Sequence, residues 1–73
     1  SPSHYYRLMR MKAARQLVLY SNDTLTDIAY ATGYSNAAAM VRHYKDVFGI
    51  TPKEERNRIN LFRVKDNRSL PAI

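Results

Sequence analysis

Apolar residues recur along this chain at intervals of three and four, the period of a helix that buries one face. Tyr5, Leu8, Met11, Ala14, Leu17 and Val18 form the first such stripe and predict a long helix starting at Ser3, whose hydroxyl can cap free backbone N–H groups. A polar break at Ser21, Asn22, Asp23 and Thr24 separates it from a short second helix. There Thr24 or Thr26 serves as cap, Leu25, Ile28 and Ala29 face inward, and the end falls near Thr32. Gly33 follows where a chain leaving a helix often needs positive φ, and a tight turn through Tyr34 and Ser35 leads to Asn36, the expected cap of a third helix. Its inward stripe is Met40, Tyr44, Val47 and Phe48, and Gly49 closes it. Thr51 and Pro52 suit the cap and first position of a fourth helix running towards Asn60. Beyond it, Leu61, Phe62 and Val64 are apolar, but Lys65, Asp66, Asn67, Arg68, Ser69 and Pro71 read as a loop or frayed terminus. The expected fold is all-α, a small helical bundle over residues 1–60 with a tail at 61–73.

Composition narrows what such a bundle can do. The 73 residues hold 12 Lys+Arg against 6 Asp+Glu, a formal charge of +6 and a pI near 10.0. A chain this short buries only ~60% of the surface its unfolded form exposes, which leaves no room for a large enzyme with a deep substrate cavity. It has no cysteine, so disulfides, thiolate zinc sites and a Cys nucleophile are excluded. Its longest apolar runs, such as residues 37–41, fall far short of the ~20 residues that span a bilayer, and no signal-peptide pattern opens the chain. The expectation is a soluble, cytoplasmic protein that engages no membrane. Positive charge predicts acidic partners without specifying a fold.

The placement of that charge favours nucleic acid. Arg7, Arg10, Lys12 and Arg15 lie on the first helix, and positions 1 to 20 contain no acidic residue, so this face either is simply solvated or tracks phosphates. Residues 24 to 48 read as a short helix, a glycine-containing turn and a longer helix, the layout of a helix-turn-helix. The second helix of that motif enters the major groove, with residues near its start facing base edges. Here that start is Asn36, Ala37, Ala38 and Ala39, and one turn on is Arg42, opposite the Met40 and Tyr44 stripe. Only arginine on this helix offers a two-pronged fork to guanine O6 and N7, which makes Arg42 the first candidate for base reading. The alanines permit close approach and contact with thymine methyl groups, although helix propensity alone would also explain them. His43 and Lys45, with Arg10 and Arg15 on the first helix, are the candidate phosphate contacts.

Catalysis finds no support. His4 and His43 lack partners at metal-ligand spacing, so no metal and no cofactor is expected. Glu54 and Glu55 are adjacent, point about 100° apart on a helix and read as surface charges rather than an acid and base pair. No glycine-rich phosphate loop is present, and the chain is not expected to be an enzyme. The aromatic residues Tyr5, Tyr34, Tyr44 and Phe48 fall on expected core faces, which weighs against base stacking on single strands.

The wider string is more specific than the helix pattern. Ala13, Ala14, Arg15 and Leu17, then Thr26-Asp27-Ile28-Ala29, Thr32-Gly33-Tyr34-Ser35, Phe48-Gly49-Ile50-Thr51-Pro52 and Arg56 together resemble the arabinose-regulator (AraC/XylS) family. The resemblance covers roughly residues 1 to 58 and matches a linker helix, the second of the family's two helix-turn-helix motifs, in a homeodomain-like three-helix arrangement, and a terminal helix. It implies sequence-specific binding of double-stranded DNA by a bacterial transcription regulator, commonly an activator. The chain would begin just after the first motif, and the second recognition helix maps onto residues 36 to 47. Contact with RNA polymerase and an effector bound by a part of the protein outside this chain are further implications; Asp23, Asp27 and Asp46 are candidates for an activation surface. Two departures stand out. Three alanines occupy specificity positions where polar residues are expected, and Glu55 stands where an aromatic is usual, which puts the packing of the last helix in question.

A competing reading follows from those alanines. An alanine-rich helix start is also a close-packing surface, so the chain could be a protein-interaction module that docks RNA polymerase or a dimer partner, and Leu8 and Met11, if left uncovered, would drive association.

Overall fold

The computed structural model describes the backbone of residues 2–69 and the side chains of residues 2–63. Four helices follow one another: α1 (Pro2–Tyr20), α2 (Leu25–Ala31), α3 (Ala37–Phe48) and α4 (Pro52–Ser69), with no strand among the described residues. Each boundary is set by local chemistry. Thr24 caps α2 by accepting the Asp27 N–H at 3.1 Å, which settles the choice between Thr24 and Thr26. Asn36 caps α3 by accepting the Ala39 N–H at 2.9 Å. Gly49 ends α3 in the left-handed region at φ 73°, donating to the Lys45 carbonyl at 2.8 Å. At the start of α4, the Thr51 hydroxyl accepts the Glu54 N–H while the Glu54 carboxylate accepts from the Thr51 N–H, a reciprocal capping box. The Thr51 hydroxyl also donates to the Glu54 carboxylate at 2.7 Å, and this bond, with that from the Thr51 N–H, holds the Glu54 acid below its usual range.

The core is small and shared by three helices. Met11, Ala14 and Val18 from α1 meet Ile28 and Ala29 from α2, Tyr34 from the turn, and Met40 and Tyr44 from α3. Leu17, Leu25, Val41 and Phe48 pack around them, half-buried. Removing Met11, Val18, Ile28 or Met40 from water stabilises the fold by about 1.5 to 3 kcal/mol each. No helix among the described residues is long and apolar enough to cross a membrane.

Four expectations are corrected. α1 already includes Pro2, tolerated in a first turn whose N–H groups lack helical partners, so Ser3 lies inside the helix and does not cap it. Tyr5 is 58% exposed and Val47 is an edge position at 36%, because the periodic stripe continues past the ends of the helices it packs on. Met11 is fully buried and Leu8 half-buried, so α2 and α3 already cover the α1 stripe. Finally, α4 does not stop near Asn60 but continues to Ser69, crossing the expected boundary between domain and tail. Leu61 and Phe62 stand exposed on that continuation. Pro71, also expected in a loop, lies outside the described residues.

Candidate nucleic-acid interface

The turn between α2 and α3 is built from main-chain bonds. Gly33, at φ 88°, lets its own N–H reach the Tyr30 carbonyl at 3.1 Å while the Tyr34 N–H reaches the Ala29 carbonyl at 2.8 Å, the paired closure of a Schellman motif. The Thr32 hydroxyl adds a bond to the Ile28 carbonyl at 2.7 Å. The chain then reverses within a few residues, and Tyr34 drops into the core to fix the start of α3. Met40 and Tyr44 are completely buried, and this sets the rotation of α3. At about 100° per residue, Arg42 lies about 160° from both, with Ala38 and Lys45 flanking it on the same exposed arc. Asp46 also lies on this side and is the one acidic residue of the helix.

A basic cleft adjoins this arc. Ser3, His4, Tyr6, Arg7 and Arg10 of α1 face His43 of α3 across a shallow depression. The Arg10 guanidinium lies 5.0 Å from the Tyr34 ring centroid, a cation over an aromatic face. Tyr34 in turn places its hydroxyl 3.1 Å from His43 Nδ1, with the two rings edge to face at 5.4 Å. Desolvation, reinforced by the positive charges of Arg7, Arg42 and Arg10 and opposed by Asp46, holds His43 below the ordinary imidazole value.

On the opposite side of α1 the cations have a different task. Arg15 grips Glu55 with two bonds, Nε to Oε1 at 3.2 Å and a second nitrogen to Oε2 at 3.0 Å, and its guanidinium sits 4.7 Å over the Phe48 ring. The buried Tyr44 hydroxyl donates to the same carboxylate. Glu55 thus ties α1, α3 and α4 together. It is half-buried and bonded rather than the surface charge expected, and where the resemblance implies an aromatic this chain has a charge network. Arg56, one residue on, donates to the carbonyls of Val18, Asp23, Leu17 and Ser21 at 2.6 to 3.3 Å. Arg63 adds a bond to the Leu19 carbonyl at 2.7 Å. The last turn of α1 carries no basic residue of its own, and α4 supplies the cations that its carbonyl end favours.

Comparison with known proteins identifies the arrangement. The helix-turn-helix domain family matches residues 1–58. The HTH-type transcriptional regulator ArgR of Pseudomonas aeruginosa is 34% identical over 56 residues, covering 77% of this chain and 17% of that protein. GbdR of Pseudomonas aeruginosa is also 34% identical over 56 residues, covering 77% of this chain and 15% of its own length. The chain belongs to the arabinose-regulator (AraC/XylS) family. An uncharacterized HTH-type transcriptional regulator of Staphylococcus aureus is 36% identical over 53 residues, covering 73% of this chain and 7% of its own length. The chain therefore spans less than a fifth of the relatives it matches. No solved structure gives a significant match. Members of the AraC/XylS family are DNA-binding transcription regulators, not catalysts.

Within this AraC/XylS unit the sequence-expected site residues separate into groups. Ala38, Arg42 and Lys45 share one exposed arc of α3. Asn36 spends its side-chain oxygen on the helix cap, so only its amide N–H groups remain to donate outward. Ala37 and Ala39 are half-buried at the edges of the core. Arg10 and His43 meet in the cleft. Arg15, expected to contact phosphate, has its guanidinium held by Glu55. Arg7 lines the same depression as His43 without having been singled out by sequence; its three-residue spacing from Arg10 puts both on one face, but spacing does not say which element faces them.

Proposed function

We propose that the chain supplies the second of two helix-turn-helix motifs in a bacterial transcription activator and inserts α3 into the major groove of double-stranded DNA. The observation that carries this reading is the exposed arc of Ala38, Arg42 and Lys45, set opposite the buried pair Met40 and Tyr44. Arg42 reads a base by its fork, Asn36 donates to a neighbouring base edge, and Ala37, Ala38 and Ala39 let the helix sit close to it. Lys45, Arg10 and His43 hold the flanking phosphates. Arg15 we assign to helix packing, because Glu55 occupies its guanidinium. An effector, and the contact with RNA polymerase that activation requires, belong to the wider regulator, and the bacterial cytoplasm is where such a protein meets its DNA. The test is duplex binding across a salt series. Affinity should fall steeply with salt, and Arg42→Ala should cost about 1 to 3 kcal/mol on a selected site with little effect on random duplex, whereas Lys45→Ala weakens both alike.

A second reading, a protein-interaction module, is favoured by α4, where Leu61 and Phe62 stand 71% and 64% exposed. A duplex affinity that barely responds to salt would move this reading ahead.

A further inference from the structure

The wall of the cleft between α1 and α3 is lined by Ser3, His4, Tyr6, Arg7, Arg10 and His43, with no carboxylate among them. Two guanidinium groups and an imidazole therefore converge on one open depression without an acidic side chain on its wall to balance them. Their geometry is also set in advance. Tyr34 is buried, Arg10 lies over its ring, and its hydroxyl engages His43 Nδ1, so one aromatic residue fixes both a guanidinium and an imidazole. Because Nδ1 is occupied, Nε2 is the ring nitrogen left for an outside partner. The hydroxyl suits either charge state of the ring: it donates to Nδ1 when His43 is neutral and accepts from Nδ1–H when His43 is protonated. In both states Nε2 carries a hydrogen, and only the charge changes.

We propose that Arg7, Arg10 and His43 form a seat for one phosphodiester of the DNA backbone beside the groove that α3 enters, and that the seat grips harder when His43 is protonated. This rests on the DNA-binding reading above and adds to it a specific phosphate site and a pH response. The groups facing His43 are His4, Arg7 and Arg10 from α1, Tyr34 from the turn, and Arg42 and Asp46 on α3 itself. In the free protein desolvation and the surrounding arginines lower the ring's hold on its proton, with Asp46 opposing them. A phosphate in the seat neutralises those arginines and bonds to Nε2–H, so the bound complex holds the proton more tightly than the free protein. By linkage, affinity rises as pH falls through the interval between the two values.

The experiment measures binding of the 73-residue chain to a mixed-sequence 24-base-pair duplex by fluorescence anisotropy at fixed ionic strength. It runs from about pH 8 to about pH 5.5, with a salt series at each end. Lowering the pH should tighten binding about threefold to tenfold, as expected of one charge-assisted phosphate contact. His43→Gln should flatten that profile and His4→Gln should not. Arg7→Gln, at an exposed position where the fold is not at stake, should reduce the salt slope by about one. If His43→Gln retains the full pH response, or if His4→Gln abolishes it, the seat is overturned while steep salt dependence leaves DNA binding intact. A flat salt response of the unaltered chain would instead remove the DNA reading together with the seat. A His43 ring response in NMR to inorganic phosphate alone, without any response to duplex, would assign the cleft to a free anion and overturn it as a DNA contact.

Discussion

The Tyr44 hydroxyl, on the buried face of α3, donates to the Glu55 carboxylate on the last helix, and Glu55 in turn holds Arg15 of α1. Three helices that separate along the sequence are joined at one carboxylate. Tyr44 lies almost opposite Arg42 on α3, so the bond that anchors the inner face also sets the direction of the outer one.

Glu55→Ala should therefore lower unfolding stability by about 2 to 3 kcal/mol, since it strands a buried hydroxyl and releases Arg15. Tyr44→Phe should cost about 1 kcal/mol, because the carboxylate keeps its arginine. Urea unfolding of both single variants and the double variant gives the coupling directly. Additive losses would mean that the bond does not contribute as a unit.

Burial, together with the Glu55 partner, pushes the Tyr44 phenol well above its ordinary value of 10.0. A group whose folded value is raised contributes stability that is present below the unfolded value and lost as pH rises through the folded one. Stability should thus fall in the alkaline range above pH 10, and the slope there should shrink in Tyr44→Phe. Thermal unfolding followed from about pH 9 to about pH 11 reads this out.

Gly33 sits at φ 88°, and a side chain there would be strained even though an added Cβ comes no nearer to another group than 3.7 Å, to the Arg10 guanidinium. Gly33→Ala should cost about 1 to 2 kcal/mol, and Gly33→Asn less, because asparagine tolerates the left-handed region better. Melting temperatures would rank the three; equal values for alanine and glycine would contradict the strain argument.

Ala38→Glu separates fold from function. An acidic residue in the first turn of α3, where none now stands, should stabilise the helix by about 0.3 to 1 kcal/mol. The same charge on the arc proposed to face the groove should weaken duplex binding several-fold. A variant both more stable and weaker in binding is the expected result, seen by pairing a melt with an anisotropy titration. Unchanged affinity would take Ala38 off the DNA-facing arc.

Arg56→Ala should lower stability by about 2 kcal/mol, since two carbonyls of the last turn of α1 and two of the loop after it lose a charged donor. Arg56→Lys should recover little, because an ammonium cannot spread its hydrogens over the span of a guanidinium. Full recovery by lysine would show that charge alone suffices.

What the sequence disclosed was local. Thr24, Asn36, Gly33, Gly49 and Pro52 act within a few residues of themselves, so their types announced the helix boundaries. Met11, Ala14, Val18, Ile28 and Met40 followed from periodicity because each helix buries one face. Tyr5 and Val47 obeyed the same period and still reached solvent, since periodicity does not say where the opposing helix ends. The stretch from Leu61 to Ser69 is polar beyond Val64, and its three apolar residues form no helical stripe, so nothing in its pattern distinguished helix from loop. Glu55 with Arg15 and Arg56 with Val18 pair across 40 and 38 residues. Contacts of that separation are set by the fold and leave no trace in spacing. For the same reason Arg7 was legible as a basic residue but not as a neighbour of His43.

Arg56 grips main chain only. Carbonyl oxygens are supplied by every residue type, so none of the four bonds depends on the identity of a side chain; packing still constrains Leu17 and Val18, but Asp23 could be rewritten and present the same acceptor. The joint between the last helix and the end of the long one is in this sense anonymous: it tolerates drift in the exposed surface around it while keeping its four bonds.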